Sequence, residues 1–337
     1  MFHRSNPALL WLLAAVLALA LAISVSHADS GTVLLRFSHV VAQDTPKGMM
    51  ASHFKELVAQ RSGGRIRVEV YCDSQLYGDD DEMEALRLGA VEMLAPSLSK
   101  FGNYGLPEFE VFDLPFLFDN LAQVRRVTQG PVGQQLLQRL GRQQMLGLGF
   151  LDNGFKQMSA HKPLRTLADF QGQRLRVQAS RVLAAQMRAL GAQPVVLPFG
   201  ETLQALASGV VDGAENPLSN FLTQKLAPLQ SDVTLTGHGY LGYAVVINPR
   251  FWASLKSADR ALLNSALAEA LALGNQLSAQ MNEQALTQLQ RSPNVRIHHL
   301  TAEQRAALKQ AAQPVYEGFA RSIGASLLKD VQQAIAP

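Results

Sequence analysis

Downstream of residue 32, short apolar runs alternate with stretches whose apolar positions recur at helical spacing. Leu34 to Val41 reads as a buried strand, and Asp44-Thr45-Pro46 as a cap with proline at the first helical position. Met49, Met50, His53, Phe54, Leu57 and Val58 keep the helical period until Gly63-Gly64, which puts Met49 and Met50 in the core. Arg65 to Tyr71 alternates polar and apolar residues, as a half-buried strand does. Asp79 with Glu82 three residues on resembles a capping box that opens a helix closed by Gly89, and Val91 to Ala95 is the next strand. This alternation predicts an α/β protein with mainly parallel sheet.

The order returns further along. Arg174 to Gln178 reads as a strand, Ser180 to Leu190 as a helix, Pro194 to Phe199 as a strand, Glu201 to Ser208 as a helix and Val210 to Ala214 as a strand. At an offset of about 120 residues, Ala85, Leu86, Gly89, Val91, Leu98 and Ser99 fall on Ala205, Leu206, Gly209, Val211, Leu218 and Ser219, and Glu92 falls on Asp212. Helix-Gly-strand units converge on such patterns by themselves. The preferred reading is two β-α-β-α-β lobes of like build, facing each other across a cleft lined by the carboxyl ends of their strands.

The first 28 residues stand apart. One basic residue, Arg4, precedes an apolar run from Ala8 to Val25, and Ser26-His27-Ala28 offers a small-x-small cleavage site. This is read as a secretory signal, with a mature chain from about Asp29 in the periplasm; an uncleaved anchor is the alternative. Of the 337 residues 47% are hydrophobic and 17% charged, enough apolar content for a large core and too much for disorder. Thirty basic against 27 acidic residues give a charge of only +3, and the basic residues are scattered, so no nucleic-acid partner is expected. Cys72 is the single cysteine, which excludes an internal disulfide and reads as a small buried hydrophobe.

The cleft geometry nominates residues. The ends of the two first strands supply Ser38 and His39 on one side and Arg176 and Gln178 on the other. An arginine near a strand end is most often a solvated surface group; the alternative is a guanidinium aimed at a carboxylate. Asn216, before Pro217, is either a turn residue or a donor to the same carboxylate. Lys156, after Asp152-Asn153-Gly154, is a loop lysine by default. Catalytic templates fail. Gly237-His238-Gly239-Tyr240-Leu241-Gly242 matches a dinucleotide loop, but an apolar run follows where a helix should open. No nucleophile, base and orienting group assemble, no metal site or cofactor is expected, and the chain reads as a binder.

Several segments make the sequence recognisable. Phe37-Ser38-His39-Val40-Val41, Asp44-Thr45-Pro46-Lys47-Gly48, Gln75-Leu76-Tyr77-Gly78-Asp79-Asp80, Ala95-Pro96-Ser97-Leu98-Ser99-Lys100-Phe101, Asp152-Asn153-Gly154-Phe155-Lys156-Gln157-Met158 and Glu215-Asn216-Pro217-Leu218-Ser219-Asn220 stand in one order. Together they resemble the solute-binding proteins of tripartite ATP-independent periplasmic (TRAP) transporters, in the C4-dicarboxylate branch. The resemblance implies two α/β lobes joined by a hinge, with a helical C-terminal part. The expected division is 29–153 for lobe I, 154–241 for lobe II, 242–281 returning to lobe I, and 282–337 completing lobe II. It assigns the carboxylate clamp to Arg176, a supporting donor to Asn216, a ring contact to Phe199 and a basic contact to Lys156. Lys47, Ser97 and Lys100 lie in first-lobe motifs and are candidates for the second carboxylate, and His39, at the end of the first strand, is a further ligand-binding candidate.

The implied ligand is malate, succinate or fumarate, and the implied partners are the small and large membrane subunits of a TRAP permease, with the chain itself a monomer. A hydroxy acid, sugar acid or aromatic acid would keep the transporter role. A sensory or structural extracytoplasmic domain and a secreted hydrolase are the readings outside it. Gly200 and Thr202 stand where the resemblance leads one to expect Ser and an aliphatic residue, which leaves the ligand's size open.

Overall fold

A computed structural model describes residues 32–336; the expected secretory leader and its cleavage lie outside the described residues. The strands are β1 (Val33–Ser38), β2 (Ile66–Tyr71), β3 (Met93–Leu94), β4 (Leu146–Ala160), β5 (Arg174–Val177), β6 (Gln193–Val196), β7 (Gly213–Asn216), β8 (Asp232–Ile247) and β9 (Arg296–His299). They form one sheet in the order β2-β1-β3-β8-β4-β7-β5-β6, with β9 beside β8. Exchanging β1 with β5, β2 with β6, β3 with β7 and β8 with β4 reverses that order onto itself. β1 pairs in parallel with β2 and β3, and β5 with β6 and β7, as the alternating pattern predicts. The long β4 and β8 run antiparallel to each other and to β7 and β3, which that pattern does not announce.

The likeness of the halves extends to side chains. Arg36 donates through Nε and Nη2 to the Glu92 carboxylate at 2.9 and 2.6 Å, and its backbone N–H reaches Glu92 at 2.8 Å. Arg174 does the same to Asp212, at 3.1, 2.6 and 2.8 Å. Glu92 and Asp212 are partners in the 120-residue offset, so the sequence repeat is a structural one.

The remaining elements adjust the predicted boundaries for local reasons. β3 ends early because Pro96 has no N–H to give and the Ala95 carbonyl accepts from Lys47 instead. β7 starts late because the N–H groups of Val210 and Val211 close the preceding helix on Ala205. Asp79 does not cap a helix: that helix begins at Glu82 behind Asp81, with no side-chain cap bond. Met50 is fully buried, but Met49 on the adjacent position is exposed, and Cys72 is half-buried rather than core.

A 34-residue helix, Ser257–Gln290, ties the halves together. Leu263, Ala266, Leu267 and Ala270 pack with Phe37, Phe54 and Ile247 of the first half, while Ala285 and Leu289 pack with Phe221 and Val233 of the second. At about 1.5 Å per residue it is roughly 50 Å long, enough to reach both cores. The C-terminal segment, expected to complete the second lobe, divides. Leu308 joins the second-half core, whereas Val315, Ile323, Leu327 and Val331 pack with Phe109, Val124 and Leu136 of the first.

Candidate functional site

The carboxyl ends of β1, β3, β5 and β7 converge on a small cavity of about 20 Å³, lined by Lys47, Ser97, Arg176, Phe199, Asn216, Tyr243 and their neighbours. That is room for about one water, so the two halves are drawn together over it. Arg176 arrives there because β5 alternates: Leu175 and Val177 enter the second-half core, and the residue between them faces the other way. Its Nε and Nη2 donate to the Leu197 carbonyl at 3.0 and 2.8 Å, and its guanidinium lies 5.9 Å from the Phe199 ring centroid. Only 2% of the residue is exposed, and among the described residues no carboxylate pairs with it. Burial lowers its pKa, against the attraction of Asp79 and Glu215.

Lys47 comes from the opposite half, one residue inside the helix Pro46–Ser62. Its Nζ donates to the Ala95 carbonyl at 3.0 Å and sits 3.8 Å over the Tyr243 ring. It too has no carboxylate partner among the described residues, and burial brings its pKa down to about 7 with help from the Lys100 charge. The same cavity is lined by Asn216, whose buried Nδ2 meets no hydrogen-bond partner among the described residues, and by Gln178, whose Oε1 is likewise unpartnered. A buried donor and acceptor left unmade cost about 1–3 kcal/mol each, which a ligand that met them would recover.

The other predicted residues divide. Ser97 and Phe199 line the cavity. Lys100 does not offer a free charge: its Nζ pairs with Asp79 Oδ1 and Glu82 Oε1, and it lines a neighbouring pocket of about 140 Å³. Lys156 is withdrawn as well. Its Nζ meets Glu215 Oε1 at 2.7 Å, while Glu215 Oε2 bonds His238 Nε2 at 2.8 Å, a fully buried network behind Asn216. Those two partners hold the Glu215 carboxyl at about 2 despite its burial. His39 is fully buried against Phe37, outside the cavity wall, and burial holds its imidazole neutral with a pKa of about 3.

Tyr243, Asp79 and Asn220 line the cavity without having been singled out in the sequence. Tyr243 carried a signal: in Leu241-Gly242-Tyr243 it shares the face of Leu241 on a period of two, next to the crossing of the halves. Its hydroxyl accepts from Asn153 Nδ2 at 2.9 Å, and that amide also donates to Asn220. Among the described residues, no group of three or more His, Cys, Asp or Glu stands where it could hold a metal ion, and no helix is long and apolar enough to cross a membrane.

Two like-built α/β halves, closed on a buried polar cavity and linked by long strands and a shared helix, define a solute-binding protein that holds its ligand without chemical change. Residues 37–322 match the bacterial extracellular solute-binding proteins, family 7, and the chain belongs to that family, whose members serve TRAP transporters. A C4-dicarboxylate-binding periplasmic protein of Rhodobacter capsulatus is 48% identical over 319 residues, 95% of this chain and 96% of the relative. A TRAP periplasmic solute-binding protein of Shewanella oneidensis, solved with bound succinate, superimposes with a TM-score of 0.88 at 42% identity, covering 90% of this chain and 99% of that one. A counterpart from Pseudomonas aeruginosa, solved with L-malate, gives 0.82 at 39% identity, covering 85% and 99%.

Proposed function

We propose that the protein captures a four-carbon dicarboxylate, succinate, malate or fumarate, and delivers it to the small and large membrane subunits of a TRAP permease from the periplasmic side. One observation carries the reading: two buried cations, one from each half and neither paired with a carboxylate among the described residues, face the same cavity. A dianion with a carboxylate at each end supplies what both lack. Arg176 takes one carboxylate in a bidentate grip, with Asn216 Nδ2 as a further donor, and Lys47 takes the other with the Ser97 hydroxyl nearby. The relatives solved with succinate and malate support the same class of ligand.

Lys100 and Lys156 act behind the site in this reading, holding Asp79 and the Glu215-Asn216 strand end in place, and neutral His39 packs beneath β1. Gln178 Oε1 accepts from the hydroxyl of malate, which favours malate over succinate. The lobes exchange at 153/154 and 241/242, where the pairing of β4 with β8 shifts register between Asp152 and Gly154. The cavity is narrower than a four-carbon diacid, so admission requires the halves to part and the liganded form to close less tightly.

The energies are sufficient. A micromolar dissociation constant corresponds to about 8 kcal/mol, within reach of a ligand of fewer than about ten heavy atoms at a ceiling of roughly 1.5 kcal/mol per atom. So small a dianion has little apolar area, so charged hydrogen bonds must carry most of this. The test is thermal unfolding against a panel of small organic acids. Ligand at about a thousand times its dissociation constant adds roughly 4 kcal/mol, hence several degrees. A shift with succinate or malate that disappears in Arg176→Ala is expected; shifts with monocarboxylates or sugar acids alone would discard the dicarboxylate.

A further inference from the structure

Asp79 is a carboxylate in the wall of a site that is otherwise cationic, and no ordinary duty explains it. It caps no helix, since Asp81 stands at that position. It shares Lys100 with Glu82, which pairs with the same Nζ. What Asp79 does is cross between the halves: its Oδ2 accepts from the backbone N–H of Phe199 at 2.5 Å. Lys100 holds it for that purpose, bonding Asp79 Oδ1 and donating to the Asp79 carbonyl at 3.1 Å.

The position of this bond matters. Asp79, Arg176 and Gln178 line both the small cavity and the adjoining pocket of about 140 Å³, so they stand where the two meet. The far side of the bond is anchored in the clamp itself. The Phe199 carbonyl accepts from Gln224 Nε2 at 2.8 Å, its ring covers the Arg176 guanidinium, and the Leu197 carbonyl two residues earlier holds that guanidinium. Asp79 and Phe199 are also 120 residues apart, the offset that relates the halves. The equivalent loops of the two lobes therefore meet each other across the cleft, next to the axis that exchanges them.

We propose that Asp79 is the latch of the cavity: its carboxylate, aimed by Lys100, ties the two halves together by accepting from the Phe199 N–H and holds the segment 197–199, and so Arg176, in the gripping position. Asp79 is thus a positioning residue that governs release of the ligand rather than its recognition. The inference rests on the capture reading above.

The experiment measures release of radiolabelled succinate from the mature protein after a chase with excess unlabelled succinate, together with the association rate, for wild type, Asp79→Ala and Asp79→Asn. The Ala variant is expected to release the ligand at least about tenfold faster with an association rate changed less than about threefold. The Asn variant keeps an acceptor oxygen and is expected to stay within about threefold of wild type. Release from Asp79→Ala within about twofold of wild type would overturn the latch, and so would equal acceleration in both variants, which would mean charge alone. Hydrogen exchange at the Phe199 amide, read without ligand, is an independent test: slow exchange in wild type and Asp79→Asn with fast exchange in Asp79→Ala supports the latch, and equal exchange in all three overturns it. Should wild type bind neither succinate nor malate, the functional reading falls, and the exchange measurement still decides the latch.

Discussion

Lys47 shows most plainly what a single residue here gives up for its role. A buried ammonium with one carbonyl and one ring for company is poorly solvated, and its pKa falls to about 7. An unfolded lysine titrates near 10.4, so between about pH 7 and 10.4 the unfolded chain binds a proton that the folded one lacks. Ligand-free stability is therefore expected to rise with pH across that window, and saturating succinate, by returning the charge to Lys47, is expected to flatten the rise. Chemical denaturation at several pH values with and without succinate checks it. Lys47→Met should raise the ligand-free melting temperature and abolish the succinate-induced shift, since replacing an unpaired buried charge by an apolar chain stabilises. Arg176→Ala should weaken succinate binding by about 3–5 kcal/mol, read by titration calorimetry, because a buried ligand carboxylate is left unpaired. That Arg176 reaches the cleft was legible in the sequence as one of two open readings of a strand-end arginine, and the resemblance favoured it. The withdrawal of Lys156 and Lys100 was not, because their partners Glu215, Asp79 and Glu82 are assembled from separate segments.

At the scale of elements, the two Arg-carboxylate pairs are a natural comparison. Arg36–Glu92 and Arg174–Asp212 each tie a strand, β1 or β5, to the turn before its neighbour, through the same three bonds. Glu92→Gln and Asp212→Asn should each cost about 1–2 kcal/mol in denaturant unfolding, with the larger loss at the less exposed Glu92. Equal slopes with denaturant would show that the two-half architecture survives both. The helix-Gly-strand units around Gly89 and Gly209 were readable because local rules fix them: a left-handed cap, then an apolar run. β4 was harder to read. Its bulges, and Gly154 at φ 142°, where an added Cβ would meet Asn282 Nδ2 at 2.8 Å, interrupt any period of two. Its strand character comes from pairing with β8, a contact that no local window contains.

For the whole molecule, the expected motion follows from the cavity. Closing the halves buries Lys47 and Arg176 without compensation, so the closed protein is expected to open more often without ligand than with it. The two-lobe class was visible in the 120-residue offset, because the repeat preserves a pattern of burial as well as particular residues. The course of the last helices was not, since amphipathic helices with apolar stripes fit the surface of either half equally well.

The sheet order has one further consequence. The first half borrows its fourth strand from Ala244–Ile247, and the second takes its own from the part of β4 ending at Ala160. β3 thus waits for a partner more than 150 residues downstream, and until β8 arrives it remains an open edge. Neither half is a contiguous segment that can complete itself as the chain emerges. Refolding should accordingly proceed as one slow cooperative event, not two independent ones, and a chain cut before β8 should yield an aggregation-prone fragment rather than a folded first lobe.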